Sequence, residues 1–222
     1  GPVRLPRQGG AAVIGIDVGG ANLKVATGEG TVIHHCPLWE NGPLPEILRP
    51  YRAHGEEAAV VMSGELADCF SSKTEGIRFI VDSVREVFPS AVFYGTDGRF
   101  HRDPVPELAA ANWLVSADYL MERHQGGLLV DLGSTTTDII PLVSLGSLQG
   151  LTDLSRLQSG TLVYTGLLRT TIPAVIREVV LSGIPTPVCP EYFACSGDAH
   201  LVLGHITAAG YASATPDGKG RD

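Results

Sequence analysis

Two short segments of this sequence combine a carboxylate, a glycine turn and small polar side chains. The first is "VIGIDVGGANLKVA" at residues 13–26, and the second is "LLVDLGSTTTDIIPL" at residues 128–142. In each segment an aspartate, Asp17 or Asp131, ends an apolar run and is followed two positions later by glycine. Glycine allows close backbone approach, so that successive N–H groups converge on an anion. The paired pattern therefore predicts two phosphate-binding loops.

A divalent cation is expected with these loops, because two carboxylates beside phosphate groups repel them. Mg²⁺ binds hard oxygen ligands and keeps several waters, so we predict that Asp17 and Asp131 hold it across a cleft. Taken singly, each loop is also an ordinary hairpin or strand surface. The residues predicted to bind substrate or phosphate in the loops are Gly19, Gly20, Asn22, Lys24, Gly133, Ser134, Thr135 and Thr136, with the Thr137 hydroxyl as a further donor.

The composition of the chain limits which ligands and which cellular location are expected. The chain has 222 residues and a formal net charge of −8, so it offers no basic surface for a phosphate backbone, and nucleic acid is not an expected partner. No apolar stretch reaches the roughly 20 residues of a membrane-spanning helix, so no membrane is expected. The four cysteines form no Cys-x-x-Cys pair and follow no secretory leader, which predicts reduced thiols in the cytoplasm.

The elements that must position these loops alternate between strands and helices, which predicts an α/β fold. Hydrophobic periodicity predicts strands over 12–18, 23–28, 30–39, 58–62, 91–94, 127–132 and 138–143, with another strand and turn within 156–176. Helices are predicted over 44–55, interrupted at Pro50, over 72–88 and over 105–124. A last helix is predicted to begin near Ser196, with Ser196 or Asp198 as its cap. A helix is also expected to begin after Ser63-Gly64. The repeated order predicts two related halves, 12–126 and 127–222, behind a flexible N-terminus at 1–11.

Seven ordered segments resemble a known superfamily. They are "GIDVGGANLKVA", "MSGELADCFSSKTEGI", "FYGTDGRF", "AAANW", "LLVDLGSTTTDIIPL", "LVYTGLLRT" and "FACSGDAHLVLG". The loops resemble phosphate loops one and two of the actin/Hsp70/sugar-kinase superfamily. The whole set resembles tetrahydromethanopterin-linked one-carbon-transfer proteins, which are related to hydantoinase/oxoprolinase subunits. Over residues 13–218, this resemblance implies duplicated ribonuclease-H-like halves around a phosphate-binding cleft, and we expect the family's C-terminal helical part to be missing.

The resemblance also implies an activity. Similar family members act in methanofuran or methylofuran biosynthesis, where they join an aminomethylfuran methyl diphosphate to the phenol oxygen of tyramine or γ-glutamyltyramine and release diphosphate. It thus implies a transferase that forms an aryl-alkyl ether, with loops that bind the substrate diphosphate and no use of ATP. A homo-oligomer or a pathway-protein partner is also expected. Two alternatives stay open, an ATP-dependent small-molecule kinase of the same superfamily and a non-catalytic partner subunit.

A general base would help this reaction, because a phenol has an unperturbed pKa of about 10. Glu65, in "SGELAD", and Asp138, which follows the second loop, are the candidates. Each has a structural alternative. Glu65 is predicted to open a helix, where the dipole favours a carboxylate, and Asp138 is placed to accept hydrogen bonds from the loop's own N–H groups.

Three further residues are candidates for substrate contact. Asn112 and Trp113 are predicted to line an aromatic pocket, although a helical tryptophan also fits the core. Arg169 follows "YTGLL", and its planar guanidinium suits a substrate carboxylate or phosphate. A surface ion pair is the alternative role for this arginine.

Overall fold

The computed structural model of the protein describes residues 13–40, 42–67, 69–124, 126–191 and 194–208. The predicted flexible N-terminus at 1–11 therefore lies outside the described residues. The chain divides into two compact units. Unit 1 contains Gly1–Gly127 and Leu142–Leu151, and unit 2 contains Leu128–Pro141 and Thr152–Asp222. No pattern in the sequence signals the return of Leu142–Leu151 to unit 1.

Unit 1 is built on a six-stranded sheet in the order β3-β2-β1-β4-β5-β6. The strands β1 and β4 are parallel, as are β4 and β5, whereas the remaining neighbours are antiparallel. The carboxyl ends of the three parallel strands therefore lie at one edge, and the first glycine loop follows β1 there. The strands are β1 Val13–Val18, β2 Asn22–Thr27, β3 Gly30–His35, β4 Glu57–Met62, β5 Val92–Tyr94 and β6 Phe100–His101.

The helices of unit 1 are α1 Leu44–Leu48, α2 Lys73–Val87, α3 Asn112–Met121 and α4 Leu145–Leu148, with 3₁₀ turns at Leu38–Glu40, Arg49–Ala53 and Pro106–Leu108. Two predictions were wrong here. No helix begins at the described residues that follow Ser63-Gly64, which are 65–67 and 69–72. Helix α2 starts at Lys73, where the Ser72 side chain accepts a hydrogen bond from Glu75 N. The helix predicted over 105–124 is interrupted, because Ala110 takes a positive φ of 48° before α3 starts.

The core of unit 1 lies between one face of the sheet and the helices α1 and α2. Along β1, Ile14, Ile16 and Val18 are buried in this core. Because side chains alternate along a strand, Gly15 and Asp17 lie on the opposite face. The apolar residues of α2 recur at helical spacing and are buried as predicted, at Ile77, Ile80, Val81, Val84 and Val87. The strand period thus keeps the first candidate carboxylate out of the core.

Unit 2 has an antiparallel sheet in the order β7-β8-β9 and a separate hairpin, β10-β11. This hairpin was not predicted, although its sequence signal is ordinary: Ser182 and Gly183, with φ of 52° and 81°, join two short runs rich in β-branched residues. The elements of unit 2 are β7 Leu128–Leu132, β8 Thr137–Pro141, α5 Asp153–Ser159, β9 Leu162–Val163, α6 Ile172–Val175, β10 Glu178–Leu181, β11 Ile184–Pro187 and α7 Ser196–Val202. Across both units, no described helix has the length and apolar character needed to cross a membrane.

Burial divides the four cysteines into two classes. Cys36 and Cys195 are buried, whereas Cys69 and Cys189 are exposed. Burial also raises the pKa of the Cys36 thiol, which lowers its thiolate fraction. We therefore expect a maleimide to modify only Cys69 and Cys189 in the native protein, and all four cysteines after denaturation, as counted by mass spectrometry. Rapid modification of Cys36 in the native protein would contradict this assignment.

Candidate functional site

Loop 1, residues 19–22, and loop 2, residues 133–136, close hairpins with the same turn. In each loop the N–H of the first residue donates to the carbonyl oxygen of the fourth, at 2.9 Å in both. The N–H groups of Gly19 and Gly133, predicted to bind phosphate, are therefore used inside the turns. Among the described residues, no acceptor is found for the backbone N–H groups in the middle of the loops, those of Gly20, Ala21, Ser134 and Thr135. These four donors suit an anion.

Asp17 and Lys24 form the charged pair beside loop 1. They lie opposite each other on β1 and β2, and Lys24 Nζ contacts Asp17 Oδ2 at 2.8 Å. The other carboxylate oxygen, Asp17 Oδ1, is buried and has no hydrogen-bond partner among the described residues. Asn22, also predicted to bind substrate, is exposed at the start of β2. Lys24, predicted to bind substrate or phosphate, thus neutralises Asp17 in this structure.

Beside loop 2, the equivalent positions carry two carboxylates. Asp131 lies opposite Asp138, in the same register as the pair in unit 1. Asp138 accepts a hydrogen bond from Arg156 Nη2 of α5, not from the N–H groups of its own loop, so that alternative was wrong. Burial raises the pKa of Asp138, while the Arg156 guanidinium acts in the opposite direction and Asp131 adds a further upward effect. The shared register supports a duplication of the hairpins, and the wider duplication stays a prediction.

Glu65 lies directly beside loop 1 and is almost completely enclosed, with 1% of its surface exposed. The segment that carries it is held to the end of β1, because the N–H groups of Ser63 and Gly64 both donate to Val18 O. Glu65 does not open a helix, so its predicted favourable interaction with a helix dipole is absent. Its backbone instead packs against α2, where a Cβ on Gly76 would lie 2.1 Å from Glu65 O.

The start of α3 approaches the same sheet edge, since Ala111 N donates to Met62 O at 3.2 Å. Asn112 Oδ1 accepts a local hydrogen bond from Trp113 N at 3.0 Å. Trp113 is only 4% exposed, so it belongs to the core rather than to the wall of an open pocket. On the sheet face of Asp17 there is a groove of about 300 Å³, lined in part by Gly15, Asp17, Lys24, Ala59, Phe100 and Val115.

Loop 2 is held in place by the segment at residues 165–169. The N–H of Leu167 donates to Gly133 O, and the N–H groups of Leu168 and Arg169 donate to Ser134 O, all within 3.1 Å. The Thr137 hydroxyl, predicted to face a ligand, donates to Thr165 O at 2.6 Å and is buried. These bonds leave the middle of the loop as the part that presents free donors.

The backbone of Arg169 helps to hold loop 2, whereas its side chain is exposed. Its N–H anchors loop 2, while its guanidinium is exposed and makes no ion pair with any described residue. The surface ion pair considered as its alternative role is thus absent from the described part of the chain. Sequence reasoning missed Gly166, which directly precedes the three residues that hold loop 2 and where a Cβ would lie 2.6 Å from the carbonyl carbon of Ser134. Its signal was the "YTG" turn.

The carboxylates of Asp17 and Asp131 are ligands of the type that Mg²⁺ prefers. The described residues contain no group of three or more His, Cys, Asp and Glu side chains suited to a metal ion. Mg²⁺ commonly keeps several waters and uses only one or two protein carboxylates. A site that holds Mg²⁺ therefore does not need a cluster of three protein ligands. Asp17 offers the unpartnered Oδ1 atom, and Asp131 offers an exposed carboxylate.

Known proteins are similar to this chain in amino-acid sequence. The sequence model of the hydantoinase/oxoprolinase family matches residues 56–222. Over 95% of its length, the chain is 38% identical to the (4-{4-[2-(gamma-L-glutamylamino)ethyl]phenoxymethyl}furan-2-yl)methanamine synthase of Methanocaldococcus jannaschii, of which it covers 67%. It is 46% identical to the protein of the same name from Methanococcus vannielii, over 43% of each chain. The chain therefore belongs to the hydantoinase/oxoprolinase family, in the group that includes these two synthases.

Proposed function

We propose that this protein is a transferase of methanofuran or methylofuran biosynthesis. It condenses an aminomethylfuran methyl diphosphate with the phenol of tyramine or γ-glutamyltyramine and releases diphosphate. The observation that carries this proposal is the 38% identity, over 95% of the chain, to the synthase of Methanocaldococcus jannaschii. The name of that relative describes a phenol oxygen joined to the methylene group of a furan, which is an aryl-alkyl ether.

The chemistry of such an ether explains the need for phosphate-binding loops. The phenol oxygen attacks the furan methylene carbon, and the bond from that carbon to the diphosphate oxygen breaks. The bonding electron pair leaves on the diphosphate, and the phenol proton passes to a base. The furan oxygen delocalises positive charge at the methylene group, so stabilising the departing diphosphate is the main task of the protein. The free N–H donors of loops 1 and 2 are the groups we assign to it.

We assign Asp17 and Asp131 to Mg²⁺ or its waters. When bound, the ion would supply positive charge that offsets the charge of the diphosphate. In this assignment Asp17 uses its unpartnered Oδ1 atom while Lys24 holds Oδ2. Arg169, whose guanidinium is exposed, is assigned to a phosphate or carboxylate of the substrate.

Asp138 and Glu65 are our two proposed bases for the phenol. A base is most effective when its pKa approaches the working pH, and burial raises the pKa of Asp138 in that direction. Glu65 lies beside loop 1 but is enclosed, so a phenol would need a local opening to reach its carboxylate. Asp138, with 17% of its side chain exposed and one carboxylate oxygen held by Arg156, is the more accessible of the two in this conformation.

Within the proposed fold, the two units are the ribonuclease-H-like halves of an actin/Hsp70/sugar-kinase type protein. The identical turns and registers of the hairpins that carry loops 1 and 2 support this proposal. Small molecules are the proposed ligands, in keeping with the net charge of −8. Self-association or binding to a pathway protein is a further proposal.

Replacing Asp17 or Asp131 with alanine is expected to weaken binding of diphosphate in the presence of Mg²⁺ by about 10- to 100-fold, a range typical of lost metal-site contacts. Isothermal titration calorimetry measures this affinity. Asp82→Ala, which removes an exposed carboxylate from α2, is the matched control and should bind like the wild type. Unchanged affinity in both loop variants would refute the assignment, and tighter binding of ATP than of diphosphate would favour the kinase alternative.

A further inference from the structure

Unit 2 contains a pocket of about 410 Å³ directly against loop 2. This volume lies in the range of pockets that hold small organic ligands. One side of the pocket is formed by Gly133 and Ser134 of the loop. Its apolar wall is formed by four aliphatic side chains, those of Leu132, Leu167, Leu168 and Ile206. An apolar wall beside a loop with free N–H donors suits a ligand with an apolar part and an anionic part.

Two histidines complete the lining of this pocket. His200 lies on α7 and His205 shortly after it, and their Nδ1 atoms are 3.0 Å apart. The backbone holds them together as well, because His205 N donates to His200 O at 2.8 Å. One Nδ1 must carry a proton for this contact, so the neutral pair presents one Nε2–H donor and one bare Nε2. A further proton gives the pair a positive charge and two Nε2–H donors.

Few charged residues lie on the described elements that form the pocket around the histidine pair. Among the described residues that line the pocket, the other six carry no titratable side chain. The charged residues on the elements that form the pocket are Asp131 on β7, Arg169 in the anchoring segment, and Asp198 on α7. The Asp198 carboxylate is engaged by Cys195 N at 2.8 Å as part of the helix cap. The two imidazoles are therefore the side chains of the described lining that can carry charge.

We propose that this pocket binds the phosphate ester of an apolar ring. The ring lies against the aliphatic wall, and the phosphate lies between the free N–H groups of loop 2 and the protonated pair of His200 and His205. The inference rests on the proposed function and extends it, because it assigns the ring of the diphosphate substrate to unit 2 and gives the histidine pair a role in holding the phosphate.

The test compares benzyl phosphate and inorganic phosphate as ligands, by calorimetry on the whole chain at about pH 6 and about pH 8, because protonation of an imidazole adds positive charge. Benzyl phosphate should bind more tightly than inorganic phosphate. Loss of a charge-assisted hydrogen bond should weaken benzyl phosphate binding about tenfold at the lower pH in His205→Asn, with a much smaller effect at the higher pH. His200→Asn, the second variant, should behave likewise. His124→Asn, an exposed histidine of unit 1, is the matched control and should bind like the wild type.

Equal affinity for the two ligands would overturn the role of the apolar wall. Unchanged binding in both histidine variants at the lower pH would overturn the role of the pair. If the wild type still binds diphosphate with Mg²⁺ in a manner that depends on Asp131, either result refutes this inference and leaves the proposed function standing. Failure of the wild type to bind benzyl phosphate and diphosphate alike would refute both.

Discussion

Alanine at Gly166 is expected to reduce diphosphate binding by about 100-fold, the cost of displacing a binding group by roughly 1 Å. A Cβ at this position would lie 2.6 Å from the carbonyl carbon and oxygen of Ser134. These are backbone atoms, so the contact is relieved only if loop 2 or its anchoring segment moves. The free N–H donors of Ser134 and Thr135 would move with it. Calorimetry with Mg²⁺ and diphosphate measures the loss.

The same experiment applies to loop 1 through Gly64. A Cβ there would lie 2.8 Å from Gly19 O, so Gly64→Ala should displace loop 1 and weaken binding in the same way. Gly28→Ala and Gly146→Ala are matched controls, because neither position has an atom within 4 Å of the added Cβ. Thermal melts should show that all four variants fold. Wild-type affinity in both loop variants, or equal losses in the two controls, would contradict a role for loop geometry.

Removing the carboxylate of Asp138 is expected to lower the free energy of unfolding by about 3 kcal/mol, the lower end for breaking a buried ion pair. Its partner Arg156 is only 2% exposed, and the Asp138 side chain is 17% exposed. In Asp138→Ala the guanidinium would lose this carboxylate while remaining out of water, which is the main cost. Urea denaturation measures the change.

Two companion variants separate this explanation from a general effect of mutating unit 2. Asp131→Ala removes the opposing carboxylate, which is exposed, and should change the free energy of unfolding by less than about 0.5 kcal/mol. The double variant Asp138→Leu/Arg156→Met replaces the pair with apolar side chains of similar size and should recover most of the loss. If Asp138→Ala unfolds at the same urea concentration as the wild type, the ion pair has no structural role. Catalytic use of Asp138 would then be its remaining role.

Local interactions made several features predictable from the sequence. Apolar alternation places the strands that flank each loop, and the glycines place the turns, because these patterns act over only a few residues. The helical spacing of the apolar residues in α2 likewise predicts the buried face that packs against the sheet. The contact between Asp17 and Lys24 follows from the short hairpin, since the turn sets which residues of its two strands lie opposite each other.

Contacts between distant segments could not be predicted from these local patterns. The pairing of Asp138 with Arg156 depends on how α5 packs against β8, and the chain between them includes residues that belong to unit 1. The sequence predicts that Glu65 opens a helix, whereas in the structure it lies in a turn that packs closely against Gly76 of α2. The hairpin of β10 and β11 differs from these cases, because its Ser-Gly turn is a local signal that the sequence itself contains.

The two Asp-x-Gly loops, the strands around them, the α/β class and, through resemblance, the family are all predictable without a structure. They are predictable because turn chemistry and side-chain periodicity act locally, and because family motifs follow sequence order. The folded chain shows in addition which loop N–H groups are free, which carboxylates are already paired, and that His200 and His205 share a pocket with loop 2. These features depend on which distant backbone and side-chain groups become the hydrogen-bond partners of each donor and acceptor. Those partners come together only when the chain packs.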